Sequence, residues 1–374
     1  MKIIHLMKDY KPTISGATVR NSSMLEHYKE ISPSDEFYVV DLDGNSYASK
    51  SVENDIVIYR KQSLYDLIKC TVMLLRDHKI DVIHAHNFRF IYAAFVAKKI
   101  AKQKSKIVAE IHALYHMKWY KEILSYYLLR KTDKVIVLAN CAKEYLIKQC
   151  KIEREKICVI RNGIENEKKD DEFDSLLIEQ IKELKRKYRI LIYTGSFYDW
   201  QGVIFLSQNF DEILGKNPTL AIVMVGDGPE YEKVTSYGEK AENRNRIIIH
   251  KGVSKTEISK LLDLIDIVCI PRIKNLSTDT AIPLKVVEAM MHKKTIISSK
   301  DDGLLEILNS ENAVLFDSQN INQLNKGLNV ILDNKEYSEA LAEQAQKDVY
   351  KRFTSWEENA HKLVLLYKEI CCDK

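Results

Sequence analysis

Apolar and polar positions divide this chain into short β-branched runs separated by longer amphipathic stretches. In the first half "KIIHLM", "EFYVVDL", "DIVIYR", "DVIHAH", "KIVAEIHA", "KVIVLA" and "KICVIRNG" have the composition of strands. Residues Ser22 to Glu30, Leu64 to His78, Phe90 to Lys102, Lys118 to Leu129 and Cys141 to Gln149 carry helical spacing. Such alternation predicts a mostly parallel sheet covered by helices on both faces. A charged segment from Glu165 to Lys187 has little strand character. The alternation then resumes with "RILIYTGS", "TLAIVMVGDG", "RIIIHKGV", "DIVCIP", "KTIISS" and "AVLFD". A last helix is apolar at Trp356, Ala360, Leu363, Val364 and Tyr367, the i, i+3, i+4, i+7 rhythm. The expected fold class is α/β, with two doubly wound, Rossmann-like units that divide near residues 162–170. Ligands of such sheets lie outside the carboxyl ends of the strands, so the cleft between the units is the expected site.

Composition agrees with packed domains. The 374 residues are 45% hydrophobic and 29% charged, enough for two cores of ordinary size. The longest apolar stretches, such as "LLDLIDIVCI", fall well short of the roughly 20 residues of a membrane span. "MKIIHLMKDY" lacks a secretory pattern and reads as a first strand, so a cytoplasmic protein is expected. Seven cysteines without metal-ligand spacing are expected to be reduced thiols. The net charge of +4 is unequally shared: residues 1–167 hold 28 Lys/Arg against 20 Asp/Glu, and the rest 29 against 33. A basic first half suits an anionic partner. No interleaving of basic and aromatic residues singles out nucleic acid, and none is expected as a partner. The basic, aromatic stretch from Tyr115 to Lys134 would, as a helix, suit peripheral contact with a membrane surface.

The densest chemistry lies in "STDTAIPLKVVEAMMHKKTIISSKDDG", Ser277 to Gly303. Pro283 suits the first turn of a helix, where its missing N–H has no partner to lose. The start of that helix offers free backbone N–H groups and a positive dipole end, an anion site. Arg272 and Lys285 add full positive charges beside it. Glu288, one turn in, can accept hydrogen bonds from a ribose diol. A sugar-nucleotide diphosphate satisfies all three features. His84 and His86 are expected to alternate across their strand, so that at most one faces a ligand. The spacing Asp41–Asp43 is expected to cap a turn rather than bind a metal.

"PLKVVEAMMHKKTIISS" resembles the signature helix of the glycosyltransferases of family 4, retaining enzymes with the two-domain fold called GT-B. More narrowly, it is similar to the subgroup reading "TPLKxLEAMAxGK". The resemblance runs through "SGATVR", matching an N-terminal small-residue loop, then "DVIHAHN", "VAEIHALY", "ICVIRNGIE", "IYTGSFYDWQG" and "MVGDGPEYE" in the family order. It implies an acceptor-side domain over 1–165 and a nucleotide-sugar domain over 166–352. A C-terminal helix over 353–374 would cross back to the first domain.

The resemblance implies roles residue by residue. Glu288 would hold the ribose. Arg272 and Lys285 would face the diphosphate and stabilise its charge as it leaves. Gly16 and Ala17 would let the backbone approach the phosphates and the transferred sugar. His112 would touch the donor sugar and orient the acceptor hydroxyl. Gly195 and Ser196 would line the diphosphate, and Lys251, Gly252 and Val253 the nucleobase. Asp279, Thr280, Pro283 and Leu284 complete the donor contacts. Two departures stand out. The acidic residue that commonly lies eight before the helix glutamate is replaced by Thr280, with Asp279 one earlier. The familiar Arg and Lys after the first strand of the second domain are replaced by Ser196 and Gln201. The implied activity is retaining, metal-independent transfer of a hexose from a UDP- or GDP-linked donor, with no cofactor. The acceptor would be a glycan or lipid-linked chain of surface polysaccharide or glycolipid synthesis, handled at the inner face of the cell membrane. The rival readings are another GT-B enzyme, such as a nucleotide-sugar epimerase, and a non-catalytic nucleotide-sugar-binding subunit.

Overall fold

A computed structural model of the chain describes residues 1–8, 10–11, 15–43, 49–165 and 175–372. The chain divides into two units, Met1–Glu165 with Thr354–Lys374, and Asn166–Phe353. The start assigned to the second domain at residue 166, and residues 166–174 of the charged segment, lie outside the described residues. From Leu176 to Lys185 that segment forms a helix capped by Ser175.

In the first unit eight strands form one sheet: β1 (Lys2–Met7), β2 (Glu36–Leu42), β3 (Ser49–Glu53), β4 (Ile56–Lys61), β5 (Val82–His86), β6 (Lys106–Ile111), β7 (Lys134–Val137) and β8 (Ile157–Val159). Their order is β3-β4-β2-β1-β5-β6-β7-β8, parallel except for the edge strand β3. The inner strands are buried on both faces, which explains their unbroken apolar runs. Strand β3 is not among the expected strands: "SKSVE" is polar and mostly exposed. It is set by the turn Asn54-Asp55, both at positive φ, which returns the chain antiparallel onto β4. The sheet's order reverses between β1 and β5, so this is the unit's topological switch point.

The helix Gly16–Ile31 begins six residues earlier than the sequence pattern suggests. "SGATVR", matched to a loop, is therefore helical from Gly16. Ser15 caps it, its Oγ accepting from the Thr18 N–H at 3.1 Å. The C-terminal helix Trp356–Cys372 packs on this helix and belongs to the first unit. The Tyr28 and Tyr367 rings meet at 5.7 Å.

The second unit holds six parallel strands: β9 (Arg189–Thr194), β10 (Leu220–Val225), β11 (Ile247–His250), β12 (Ile267–Ile270), β13 (Thr295–Ser299) and β14 (Val314–Phe316). Their order is β11-β10-β9-β12-β13-β14, which places the switch point between β9 and β12. A core of Leu191, Tyr193, Phe197, Leu206, Met224 and Phe316, among others, lies against this sheet.

Candidate functional site

At the switch point of the second sheet, Gly195 follows β9 and Pro271-Arg272 follows β12. The helix Leu284–Met291 starts nearby, with Pro283 extended as its N-cap rather than within its first turn. Lys285 lies in that first turn, and its Nζ is buried without a hydrogen-bond partner. The ammonium stands 4.1 Å from the centroid of the Tyr193 ring. Tyr193 is fully buried and fixed by donating its hydroxyl proton to the Ser196 carbonyl at 2.8 Å. Gly195 takes φ +128, and a Cβ there would lie 3.1 Å from Lys285 Nζ, so the absent side chain keeps the ammonium approachable. Gly226, at the end of β10, is equally constrained: a Cβ would meet the Gly195 carbonyl oxygen at 1.8 Å.

The electrostatics at this point call for an anion. Burial pushes the Lys285 ammonium down to about 7, and the nearby Arg272 charge pushes the same way, against the weaker pull of Cys269 and Glu288. Arg272 is itself buried. It donates from NH1 to the Ala281 carbonyl at 3.0 Å and lies 3.5 Å from the Asp301 carboxylate. Burial raises Asp301 to about 6 despite the attraction of Arg272. Asp301 also caps the helix Asp302–Leu305, accepting from the Leu304 N–H at 2.9 Å. Arg272 is thus held in the wall by Ala281 and Asp301, whereas Lys285 Nζ has no hydrogen-bond partner among the described residues.

The other donor-side residues are distributed as follows. Ser196 is exposed beside Gly195. Glu288 is half-buried one turn after Lys285, and Leu284 starts the helix. Asp279 accepts the Asp302 N–H at 3.0 Å, and Thr280 donates its hydroxyl to the Leu276 carbonyl at 2.7 Å. Lys251, Gly252 and Val253 follow β11, with Lys251 Nζ 5.2 Å from the Tyr231 ring and open space around Gly252. Exposed Tyr198 and Trp200 stack at 4.3 Å in the loop after Ser196.

The first sheet's switch point carries a second polar cluster. Gly16 and Ala17 open the helix that follows β1, and Gly16 is exposed. Beneath it lie His5 of β1, His84 and His86 of β5, Glu110 of β6, Arg20 and Tyr367, all buried. His84 and His86 do not diverge. Side chains two residues apart on a strand share a face, and these rings stack at 4.5 Å and 6°. Arg20 grips Glu110 with two bonds, Nε to Oε1 at 2.9 Å and NH2 to Oε2 at 3.2 Å. His112 Nε2 meets Glu110 Oε1 at 2.7 Å, and His86 Nε2 meets His5 Nδ1 at 3.2 Å. His84 is hydrogen-bonded to the Tyr367 hydroxyl. Burial opposes ionisation of Glu110, but the Arg20 charge and its histidine partners outweigh it and hold the carboxyl well below the usual range. Burial first, then neighbouring histidines, lowers His5, and does the same for His86, which falls to about 3.

His86, Glu110 and His112 bring three ligand-type atoms within 4.8 Å of one another. Arg20 already holds that carboxylate with two hydrogen bonds. Asp41 is buried and accepts the Tyr10 N–H at 3.2 Å.

The sequence pattern pointed to Lys285 and His112 but not to Arg20, Glu110, His5 or Tyr367. A signal existed: His5 and Glu110 are lone polar residues inside otherwise apolar strands.

Comparisons with known proteins follow the same division. Residues 175–348 match the family model "Glycosyl transferases group 1", and residues 51–168 match "Glycosyltransferase Family 4". It is 23% identical over 309 residues to the phosphatidylinositol N-acetylglucosaminyltransferase GPI3 subunit of Saccharomyces cerevisiae, covering 80% of this chain and 65% of that one. It is 24% identical over 268 residues to an Escherichia coli UDP-Gal:alpha-D-GlcNAc-diphosphoundecaprenol alpha-1,3-galactosyltransferase, covering 67% and 64%. The chain therefore spans a little under two thirds of the length of these relatives. Among solved structures, Anabaena HepE in complex with UDP-glucose aligns with TM-score 0.77 at 17% identity over 99% of this chain and 100% of that one. Sucrose-phosphate synthase from Thermosynechococcus elongatus aligns with TM-score 0.78 at 15% identity over all of both chains. The fold is GT-B, two Rossmann-like α/β domains.

Proposed function

We propose that this protein is a retaining hexosyltransferase that takes a UDP- or GDP-linked sugar as donor and a lipid-linked glycan or glycolipid as acceptor. The observation that carries the reading is Lys285: a buried ammonium with no hydrogen-bond partner, at a helix start, beside a glycine at a sheet switch point. A folded protein keeps such a charge when a ligand supplies its counterion.

Bond cleavage between the anomeric carbon and the diphosphate builds negative charge on the leaving oxygens. Lys285 and the first N–H groups of the helix Leu284–Met291 stabilise that charge more than they stabilise the ground state. Arg272, held by Asp301, adds its field from the wall. Glu288 holds the ribose, with Gly195 and Ser196 along the diphosphate and Lys251, Gly252 and Val253 at the base. Asp279, Thr280, Pro283 and Leu284 shape the sugar's surroundings. Gly16, Ala17 and His112 serve the transferred sugar and the acceptor. The acceptor oxygen bonds to the anomeric carbon on the face the diphosphate leaves, and its proton passes to the departing phosphate. With cations fixed in the protein, the step needs neither a divalent ion nor a cofactor. The helix after Pro283 supports the narrower likeness to the "TPLKxLEAMAxGK" subgroup.

A lipid-linked acceptor is favoured by the helix Trp119–Arg130. Trp119 is 75% exposed and Ile123 63%, with Tyr120, Leu124 and Tyr127 exposed beside them. Exposed Lys118, Lys121, Arg130 and Lys131 flank this surface. No helix among the described residues is long and apolar enough to cross a membrane. We place the enzyme at the cytoplasmic face of the membrane, with this helix among the headgroups.

The test is a panel of UDP-, GDP- and ADP-sugars scored by thermal shift, followed by product analysis. One donor should raise the melting temperature by mass action and be consumed with retention, and Lys285→Ala should abolish both effects. Stabilisation without transfer would favour a binding subunit, and conversion of the free donor an epimerase. No stabilisation by any sugar nucleotide would refute the reading.

A further inference from the structure

Glu110 lies two residues before His112 and is deeply buried, with its carboxylate ionised against Arg20. An ionised carboxylate can only accept hydrogen bonds. At 2.7 Å from Glu110 Oε1, His112 Nε2 must therefore carry the ring proton. His112 Nδ1 has no partner among the described residues, and the side chain keeps 15% of its surface open. The backbone holds the same pose, the His112 N–H pointing to Asn87 Oδ1 at 3.4 Å. Asn87 sits at positive φ where β5 gives way to the next helix. Arg20 in turn anchors this arrangement to the end of β8 through the Arg161 carbonyl at 2.9 Å.

We propose that Glu110 is a positioning residue for glycosyl transfer: clamped by Arg20, it fixes His112 in the Nε2–H tautomer and leaves Nδ1 as a lone-pair acceptor for a carbohydrate hydroxyl. The inference rests on the reading of His112 as a residue of the transfer reaction. The geometry explains why a carboxylate is retained inside a strand that is otherwise apolar. A neutral imidazole held this way accepts one hydroxyl in one direction. A free imidazole exchanges its two tautomers, and part of its population presents a proton where a lone pair is needed.

The experiment is long-range ¹H–¹⁵N correlation on the full chain labelled with ¹⁵N-histidine, with the His112 signals assigned by their loss in His112→Gln. Wild type should show His112 protonated at Nε2, and Glu110→Gln should mix the tautomers. In the same Glu110→Gln protein kcat should fall on the order of tenfold to a hundredfold, with the donor KM within about twofold, the split expected for orientation rather than binding. Glu110→Asp should recover the tautomer in part. Should Glu110→Gln fail to fold with Arg20 left uncompensated, Arg20→Met/Glu110→Gln provides the same readouts. His112 protonated at Nδ1 in wild type overturns the proposal whatever the variants do. Wild-type kcat in Glu110→Gln overturns it too. Absence of transfer by the wild type refutes the transferase reading instead, while the tautomer still decides the role of Glu110.

Discussion

Two side chains carry the account at the residue scale, and each has an unusual environment for its type. Lys285 is a buried amine lowered to about 7 with no hydrogen-bond partner among the described residues, and Arg20 is a buried cation paired with Glu110. Breaking a buried pair by removing one partner leaves an uncompensated charge. Arg20→Met should therefore lower the unfolding free energy by about 3–5 kcal/mol in urea, and Arg20→Met/Glu110→Gln should recover most of that loss. A single-variant cost near zero would mean that the pair is dispensable. Some of this was legible in the sequence and some was not. Lys285 could be found because its helix start, Pro283 and Glu288 are contiguous. Arg20 and Glu110 are 90 residues apart and join only when β1, β5 and β6 are laid side by side. The local trace they leave is a polar letter inside "KIVAEI" and a basic one at the end of "SGATVR".

At the scale of elements, strands buried on both faces announced themselves as β-branched runs, and every one of those runs forms a strand. The edge strand β3 did not, because an exposed edge has no apolar face to show. Its only signal was the Asn54-Asp55 turn. The helix Trp119–Arg130 presents the opposite case, an element whose pattern is plain and whose exposed face departs from the rule that apolar side chains pack inward. If that face rests on an anionic bilayer, Trp119→Ser/Ile123→Asp should weaken co-sedimentation with phosphatidylglycerol vesicles about tenfold or more, since each lost side chain removes about 1.5–3 kcal/mol of burial. Binding of nucleotide should be unchanged. Equal vesicle binding by the variant would assign the face to another role.

On the scale of the whole molecule, the first unit is built from both ends of the chain. Ile164 pairs with Ser355, and the C-terminal helix supplies Tyr367 to the histidine network. The charge surplus of the first 167 residues suits an anionic partner. Each half resembles a glycosyltransferase family model, over residues 51–168 and 175–348. Under the proposed function, the central claim for the second unit is that Lys285 receives the charge of a bound diphosphate.

That claim has a direct thermodynamic signature. Free Lys285, lowered to about 7, is mostly neutral at pH 8, and a bound diphosphate favours its charged form. Binding at pH 8 must then take up a proton, whereas at pH 6 the lysine is charged before and after. Isothermal titration of UDP or GDP, whichever stabilises the protein, in buffers of different ionisation enthalpy measures this uptake. The account predicts uptake approaching one proton at pH 8, little at pH 6, and none in Lys285→Met. Tight binding at pH 8 with an enthalpy independent of buffer would contradict it.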